Sequence, residues 1–171
     1  IGQPTYRVEQ LWQAMYKHRV NSFAEVTGWP RLLQQKMAER FSVLHVQPAT
    51  VRHSTDGTRK YLFKGHDGKA FESVYIPEVA KGRKTNTLCI SSQTGCAVGC
   101  RFCFTATVRP WRDVTPGEIV GQVLAVQREL EPLPSDELGV RNIVFMGMGE
   151  PLLNYDNVIQ AARILLDTHG F

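Results

Sequence analysis

All four cysteines of this chain lie within fifteen consecutive residues. Cys96, Cys100 and Cys103 have the spacing C-x3-C-x2-C, and Cys89 lies seven residues before the first of them. Glycines beside and within this loop tolerate positive φ, so its backbone can turn tightly. Three thiolates from one loop suit a [4Fe–4S] cluster whose fourth iron has no protein ligand. The spacing therefore predicts an iron–sulfur site with one open iron, which a small molecule with an amine and a carboxylate can chelate.

Other uses of clustered cysteines fit this pattern less well. We expect no disulfide framework, because such frameworks are typical of short secreted scaffolds made with a signal peptide. A zinc site favours two cysteine pairs or a nearby histidine, and no histidine lies between His66 and His169. Buried structural cysteines have no need to cluster. Reduced, clustered cysteines are typical of a reducing compartment, which predicts the cytoplasm or the matrix or stroma of an organelle.

The composition is that of a soluble globular protein. The 171 residues are 43% hydrophobic and 21% charged, and no run approaches the roughly 20 apolar residues that a membrane span requires. The net charge of +4 permits a polyanionic partner. A solvated surface is the simpler interpretation of these basic residues.

Apolar residues at three- and four-residue spacing predict helices over residues 5–41, including a third helix that Pro30 begins. Val8, Leu32 and Phe41 belong to the predicted apolar faces, with others of the same spacing. From residue 43 the pattern changes to three strands, at about 43–54, 58–64 and 70–76. The pairs Asp56-Gly57 and Asp67-Gly68 separate them and predict an antiparallel meander, since Asp-Gly favours tight turns.

In the third strand, alternation assigns Phe71, Ser73 and Tyr75 to one face, and Glu72 to the other with Val74 and Ile76. If the second face is buried or lines a cleft, desolvation raises the pKa of Glu72 and makes it a proton carrier. A glutamate on a solvated strand face is an equally good interpretation.

The second half of the chain follows a β/α order. A strand over residues 87–91 leads into the cysteine loop, and Thr115-Pro116-Gly117-Glu118 predicts a capped helix that extends to about 131. A buried strand over 143–146 ends on Gly147-Met148-Gly149-Glu150, and a last helix follows. This order is the opening of a parallel (β/α) barrel or open α/β sheet, in which sites form at the carboxyl ends of the strands.

These patterns predict an α/β chain in two parts. Residues 1–79 form a small accessory domain of helices and an antiparallel meander, residues 80–86 a basic linker, and residues 87–171 the first β/α units of a barrel. Two parallel strands cannot cover both faces of a sheet or protect its edges. We therefore expect this chain to be the N-terminal part of a longer protein.

The glycine-rich loop provides the second signature, because its glycines let a ligand approach the backbone. It resembles the G-G-E motif with which radical S-adenosylmethionine (SAM) enzymes bind the amino group of SAM, and Phe102 lies at the aromatic position of their C-x3-C-x-aromatic-C signature. The segments 87–103, 117–123 and 146–154 are similar to those of the RlmN/Cfr family, as is the order of helices and small β unit before them. The resemblance covers nearly the whole chain.

The resemblance implies a role for each candidate residue. Cys96, Cys100 and Cys103 would hold the [4Fe–4S] cluster, and Gly149 and Glu150 would bind SAM. Cys89 matches the second catalytic cysteine of the family, and Glu72 matches its proton acceptor.

The same resemblance implies methylation of C2 of an adenosine in 23S ribosomal RNA, and in some members transfer RNA; C8 methylation is a minority variant. Adenine C2 and C8 are electrophilic, so ordinary polar methyl transfer is not available. A methylated cysteine near the C-terminus becomes a carbon radical and adds to the base, Glu72 removes the ring proton, and Cys89 releases the adduct through a disulfide. An electron donor such as flavodoxin or ferredoxin is implied as a partner.

The chain departs from the family in two places. In the stretch 108–114 only Arg112 clearly matches, and no cysteine follows Cys103, so the methyl-carrying cysteine is not among these residues. Two other hypotheses stay open on sequence: a radical SAM enzyme with another substrate, and a non-catalytic, metal-containing RNA-binding protein.

Overall fold

The computed structural model describes residues 2–43, 46–77, 79–80, 83–130 and 139–167. The chain divides into two compact units, one within residues 1–45 and 162–171 and the other within residues 46–161. Among the described residues, no helix combines the length and apolar character needed to cross a membrane.

The first unit is helical, as the apolar spacing predicts. Helix α1 (Tyr6–Trp12) continues into a π-helical turn (Gln13–Lys17), a short 3-10 helix (Phe23–Glu25) follows, and then helix α2 (Arg31–Ala38). Their buried side chains form one cluster, made of Ala14, Val20, Phe23, Val26, Trp29, Leu33 and Met37.

The prediction of an apolar face was wrong for three residues of this unit. Val8, Leu32 and Phe41 are all more than half exposed. Helix α2 buries Leu33 and Met37 instead. Residues four apart lie on one face of a helix, whereas Leu32 is about 100° away from Leu33, so the two cannot both face the core.

The second unit is built on one five-stranded sheet. Its strands are β1 (Pro48–His53), β2 (Arg59–Lys64), β3 (Ala70–Ile76), β6 (Thr87–Cys89) and β7 (Asn142–Val144), in that spatial order, and a hairpin of β4 (Val79–Ala80) and β5 (Arg83–Lys84) lies between β3 and β6 in the chain. The meander pairs are antiparallel, β3 and β6 are also antiparallel, and β6 and β7 are parallel. The prediction of an antiparallel meander followed by a first parallel β/α unit is confirmed.

The five-stranded sheet contains strands from both sides of the domain boundary that was predicted at 80–86. Strands β4 and β5 pair where a linker was expected, and residues 81–82 lie outside the described residues. Because β3 pairs with β6, the meander and the β/α unit share one sheet. An unpaired β3 would expose a sheet edge, and β6 covers it. The functional division into an accessory domain and a barrel stays a prediction.

Both predicted Asp-Gly turns form. Gly57 and Gly68 have φ of 84° and 77°, while no aspartate of these pairs has a positive φ. The side chains of Asp56 and Asp67 instead accept hydrogen bonds from the backbone N–H groups of residues 58 and 69, at 2.9 and 3.2 Å. The aspartate therefore fixes each turn through its side chain, and the glycine supplies the left-handed residue.

The helices of the β/α part follow its strands. A 3-10 helix (Phe104–Thr107) comes after the cysteine loop, helix α3 (Pro116–Leu130) lies between β6 and β7 in the chain, and helix α4 (Tyr155–Leu165) comes after the glycine-rich loop. Residues 131–138, where α3 was expected to end, lie outside the described residues.

Helix α3 packs on one face of the sheet. Phe71, Ser73 and Tyr75 are buried on that face, so the predicted alternation of β3 is confirmed. The buried amide of Gln122 links helix and sheet: its Oε1 accepts from Ser73 Oγ at 2.7 Å and from the Ser91 N–H at 2.9 Å.

The start of α3 is fixed by a capping box and an arginine. Thr115 and Glu118 exchange the predicted reciprocal hydrogen bonds, at 2.9 and 3.2 Å. The Glu118 carboxylate, of which 1% is exposed, also accepts two hydrogen bonds from Arg112 at 2.7 and 2.9 Å. Arg112 donates two more to Asp67, both at 2.8 Å. One guanidinium thus holds the second meander turn against the helix start.

We expect Arg112→Met to lower the free energy of unfolding by about 3 kcal/mol, because the substitution leaves the buried Glu118 carboxylate without its cation. Urea denaturation followed by circular dichroism measures the change. Arg109→Met is the matched control, since Arg109 is exposed in the same loop and should change stability by less than about 0.5 kcal/mol. Equal effects of the two substitutions would contradict this role.

The cluster of Arg112, Glu118 and Asp67 should make the free energy of unfolding depend on pH. Burial raises the pKa of Glu118, but the hydrogen bonds from Arg112 and Thr115 and the positive charge of Arg112 together outweigh it and leave the pKa below its ordinary value. Hydrogen bonds from Arg112 also lower the pKa of Asp67. Stability from carboxylates with a depressed pKa is present above their unfolded pKa and is lost as pH falls. The free energy of unfolding should therefore decrease between about pH 5 and pH 2, with a shallower slope in Arg112→Met.

Candidate active site

The loops that follow β6 and β7 are joined by their backbones. The Gly147 N–H donates to the carbonyl of Ile90 at 3.1 Å, and the N–H groups of Ser92 and Gln93 both donate to the carbonyl of Met148, at 2.9 and 3.1 Å. Both loops leave the carboxyl ends of parallel strands, as predicted. The cysteine loop and the glycine-rich loop therefore start from one hydrogen-bonded junction.

Two buried side chains complete this junction. Ser91 Oγ accepts from the Met148 N–H at 2.8 Å and donates to the carbonyl of Glu72 on β3 at 2.5 Å. Gln93 Oε1 accepts from the Glu150 N–H at 3.0 Å. Sequence reasoning missed both residues, although polar residues directly after a buried strand are a usable signal. They tie the glycine-rich loop and β3 to the segment that leads to the cysteines.

The two glycines of the second loop are required by close packing. A Cβ on Gly147 would lie 2.8 Å from the carbonyl oxygen of Ile90, and a Cβ on Gly149 would lie 2.5 Å from Cβ of Gln93. Gly149 also has a φ of 97°. These glycines were expected to let a ligand approach the backbone, and here they let the two loops approach each other.

Glu150 lies at the end of this loop, where a 3-10 helix (Pro151–Asn154) begins. Its carboxylate Oε1 accepts from the Leu152 N–H at 3.0 Å, so it caps this turn. The side chain of Asn154 is buried and donates to the carbonyls of Ser92 and Val114, at 2.7 and 2.8 Å. The cap fixes the Glu150 carboxylate beside the junction.

The three loop cysteines differ in exposure. Cys96 is buried, while Cys100 and Cys103 are partly exposed, and both belong to a tight turn in which the Cys103 N–H donates to the Cys100 carbonyl at 3.0 Å. Gly99, directly before this turn, has a left-handed backbone with a φ of 73°. Hydrogen bonds from the side chain and backbone of Thr105 lower the pKa of the Cys103 thiol, which favours the thiolate that binds iron.

The donor set, three thiols from one loop, suits an iron–sulfur cluster. All four cysteines are free thiols. In the described part of the chain, no three Cys, His, Asp or Glu side chains converge as they would around one metal ion. The thiolates of a cluster bind different irons and need not converge on one point. The predicted aromatic residue, Phe102, is 93% exposed beside these thiols.

The sheet register brings Glu72 and Cys89 to the same face, opposite the face that α3 covers. Cys89 is paired with Val74 on β3, and Glu72 lies two residues from Val74 on the same strand. Such diagonal neighbours have Cα atoms about 7–8 Å apart. Burial raises the pKa of the Cys89 thiol, so this cysteine must lose its proton before it can react as a thiolate.

Glu72 is neither buried nor isolated on this face. Its carboxylate is 35% exposed, and its Oε2 lies 2.8 Å from Nζ of Lys60. A cavity of about 210 Å³ is lined by Thr50, Arg52, Lys60, Leu62 and Glu72. Each of the two interpretations of the sequence is thus partly right: the Glu72 side chain is partly exposed to solvent, and it also lines a cavity.

Comparison with known proteins gives a match over the part of the chain that contains the cysteine loop and the glycine-rich loop. Residues 90–170 match the family model of the radical SAM superfamily. The chain is 47% identical over 169 residues to "Dual-specificity RNA methyltransferase RlmN" of Geobacter sulfurreducens, covering 99% of this chain and 44% of that protein. It is 46% identical to the protein of the same name from Pelobacter propionicus, covering 45% of it. The chain is thus similar to RlmN proteins over nearly its whole length, and its second half matches the radical SAM superfamily.

The RlmN relatives are longer than this chain, which spans a little under half of their length. A solved structure of a radical SAM methyltransferase from Sphaerobacter thermophilus has the same fold, with a TM-score of 0.81 and 35% identity over 99% of this chain and 48% of that one. The predicted resemblance to RlmN proteins and the predicted fold class are confirmed. The roles of the individual site residues stay predictions.

We expect Gly149→Ala to lower the free energy of unfolding by about 1–3 kcal/mol, because alanine strains a left-handed backbone and its Cβ collides with Gln93. Thermal denaturation measures the loss. Gly117→Ala is the control: a Cβ at that position would have no neighbouring atom within 4 Å, and alanine favours the first turn of α3. Equal melting temperatures of the two variants would refute the close approach of the loops.

Proposed function

We propose that the protein containing this chain is a radical SAM RNA methyltransferase that methylates C2 of an adenosine in 23S ribosomal RNA and in transfer RNA. The observation that supports this most strongly is the combination of Glu72 and Cys89 on one sheet face with the three-cysteine loop, in a chain 47% identical to an RlmN protein over nearly all of its length. The chemistry of a radical SAM enzyme that acts on another substrate does not by itself require Glu72 and Cys89.

In this proposal Cys96, Cys100 and Cys103 hold a [4Fe–4S] cluster with an open iron. When bound, the cluster supplies the electron for reductive cleavage of SAM. Glu150 and the backbone at Gly149 accept hydrogen bonds from the SAM amino group. A reduced flavodoxin or ferredoxin delivers the electron, and the cytoplasm provides the reducing environment.

The two remaining residues act on the RNA. The Glu72 carboxylate accepts the proton that leaves the adenine carbon. The Cys89 thiol loses its proton and attacks the sulfur of a methylene-bearing cysteine that lies outside residues 1–171. An S–S bond forms, the S–C bond breaks, and the carbon keeps the electron pair and takes up a proton to become the methyl group.

The first test is anaerobic reconstitution of the complete protein with iron and sulfide, followed by EPR of the reduced form with and without SAM. We expect a [4Fe–4S]⁺ signal that shifts when SAM is added, and C2-methyladenosine in RNA digests analysed by mass spectrometry. Tightly bound zinc without iron would refute the proposal. Active SAM cleavage with no RNA product would favour a radical SAM enzyme of another substrate.

Cysteine variants separate the two proposed roles. Cys96→Ala should abolish iron binding and all activity, because the loop then offers two thiolates. Cys89→Ala should keep the iron content and the SAM-dependent EPR shift but leave RNA covalently attached, seen as an RNase-sensitive band on denaturing gels. Loss of iron in Cys89→Ala would show that Cys89 is a ligand instead.

A further inference from the structure

Lys60 and Glu72 form an ion pair on the open face of the sheet. Their strands pair so that Lys60 is opposite Val74 and Glu72 is opposite Leu62, and the lysine therefore reaches diagonally across to the carboxylate. Nζ lies 2.8 Å from Oε2, with 50% of the lysine side chain and 35% of the glutamate side chain exposed. A pair this exposed contributes little to the stability of the fold.

The pair lies where the proposed chemistry takes place. Lys60, Val74 and Cys89 occupy one row across three neighbouring strands. Glu72 lies in the next row, so Lys60 and Cys89 are both its diagonal neighbours. The lysine approaches the carboxylate from the β2 side, and the cysteine lies on the β6 side.

Lys60 contacts the Glu72 carboxylate directly, since its Nζ lies 2.8 Å from Oε2. The backbone of Glu72 is held as well, because its carbonyl accepts from the buried Ser91 Oγ. Contacts thus hold both the backbone and the side chain of Glu72, and Glu72 and Lys60 line the same cavity.

We propose that Lys60 is a positioning residue for Glu72: it holds the carboxylate in the orientation in which it accepts the substrate proton. This inference rests on the proposed function, in which Glu72 accepts a proton from the adenine. Lys60 itself touches neither SAM nor the reacting carbon. Its loss leaves the carboxylate free to rotate into solvent and lowers the fraction of it that is correctly oriented.

The test compares Lys60→Met, Lys60→Arg and Glu72→Gln in the complete, reconstituted protein. Lys64→Met is the matched control, because Lys64 lies on the same face of β2, is exposed, and is opposite Ala70 rather than Glu72. The substrate is 23S ribosomal RNA that lacks C2-methyladenosine. Measurements are the single-turnover rate of RNA methylation, the Kd for RNA, the SAM-dependent EPR shift, and the melting temperature.

We expect Lys60→Met to lower the methylation rate about fivefold, because an ion pair this exposed supplies only a small orienting free energy. The Kd for RNA, the EPR shift and the melting temperature should stay within about twofold or a few degrees of wild type. Lys60→Arg should recover most of the rate, and Lys64→Met should match wild type. A purely structural role would shift melting together with rate.

The double variant decides whether Lys60 acts through Glu72. If it does, Lys60→Met with Glu72→Gln should be no slower than Glu72→Gln alone, since the lysine then has no carboxylate to orient. The inference would be overturned if the double variant lost the product of the two single rate losses, or if Lys60→Met were as fast as Lys64→Met. Either outcome would leave the proposed function intact. A wild-type protein with no RNA methylation would refute both.

Discussion

The hydrogen-bonded junction between residues 90–93 and 147–150 is the constraint on which the candidate site depends. Strands β6 and β7 end early, and the chain continues their pairing irregularly through the Met148 carbonyl and the side chains of Ser91 and Gln93. Buried backbone groups must find partners, and here they find them in each other. The junction fixes the origin of both loops, so the cysteines and the glycine-rich loop cannot be placed independently.

The glycines of this junction show how packing and function share the same residues. Gly147 and Gly149 resemble a ligand-binding motif, but their immediate physical requirement is contact between loops, since a Cβ at either position would meet neighbouring atoms at 2.5–2.8 Å. A substitution there would disturb stability and ligand binding together. Activity measurements on such variants need a stability measurement beside them.

Two ion pairs of the same unit illustrate different uses of charge. Arg112 holds a carboxylate that is almost fully buried, so its loss exposes the full cost of an unpaired charge in the interior. Lys60 holds a carboxylate that water also reaches, and solvent screens most of the attraction. The first pair stabilises the fold, whereas the second is better placed to orient a functional group.

Several features could be predicted from sequence because local chemistry decides them. The capping box of Thr115 and Glu118, the glycine turns after Asp56 and Asp67, and the alternation of β3 each follow from residues a few positions apart. The helical spacing of the first unit was also visible, but Val8, Leu32 and Phe41 were assigned to the wrong face. The spacing of apolar residues indicates a helix, but the elements that pack against the helix decide which of its apolar residues are buried.

The amino-acid sequence by itself determined the cysteine loop, the order of strands and helices and the resemblance to RlmN proteins, because spacing and short motifs carry that information. Only the tertiary structure decided that β3 pairs with β6, which joins the meander to the β/α unit and places Glu72 diagonally beside Cys89. It also decided the roles of Ser91, Gln93, Arg112 and Lys60, whose respective contacts with Met148, Glu150, Asp67 and Glu72 join residues 12 to 57 positions apart in the chain. Hydrogen bonds and ion pairs over such separations depend on strand register and loop packing, which no local pattern records.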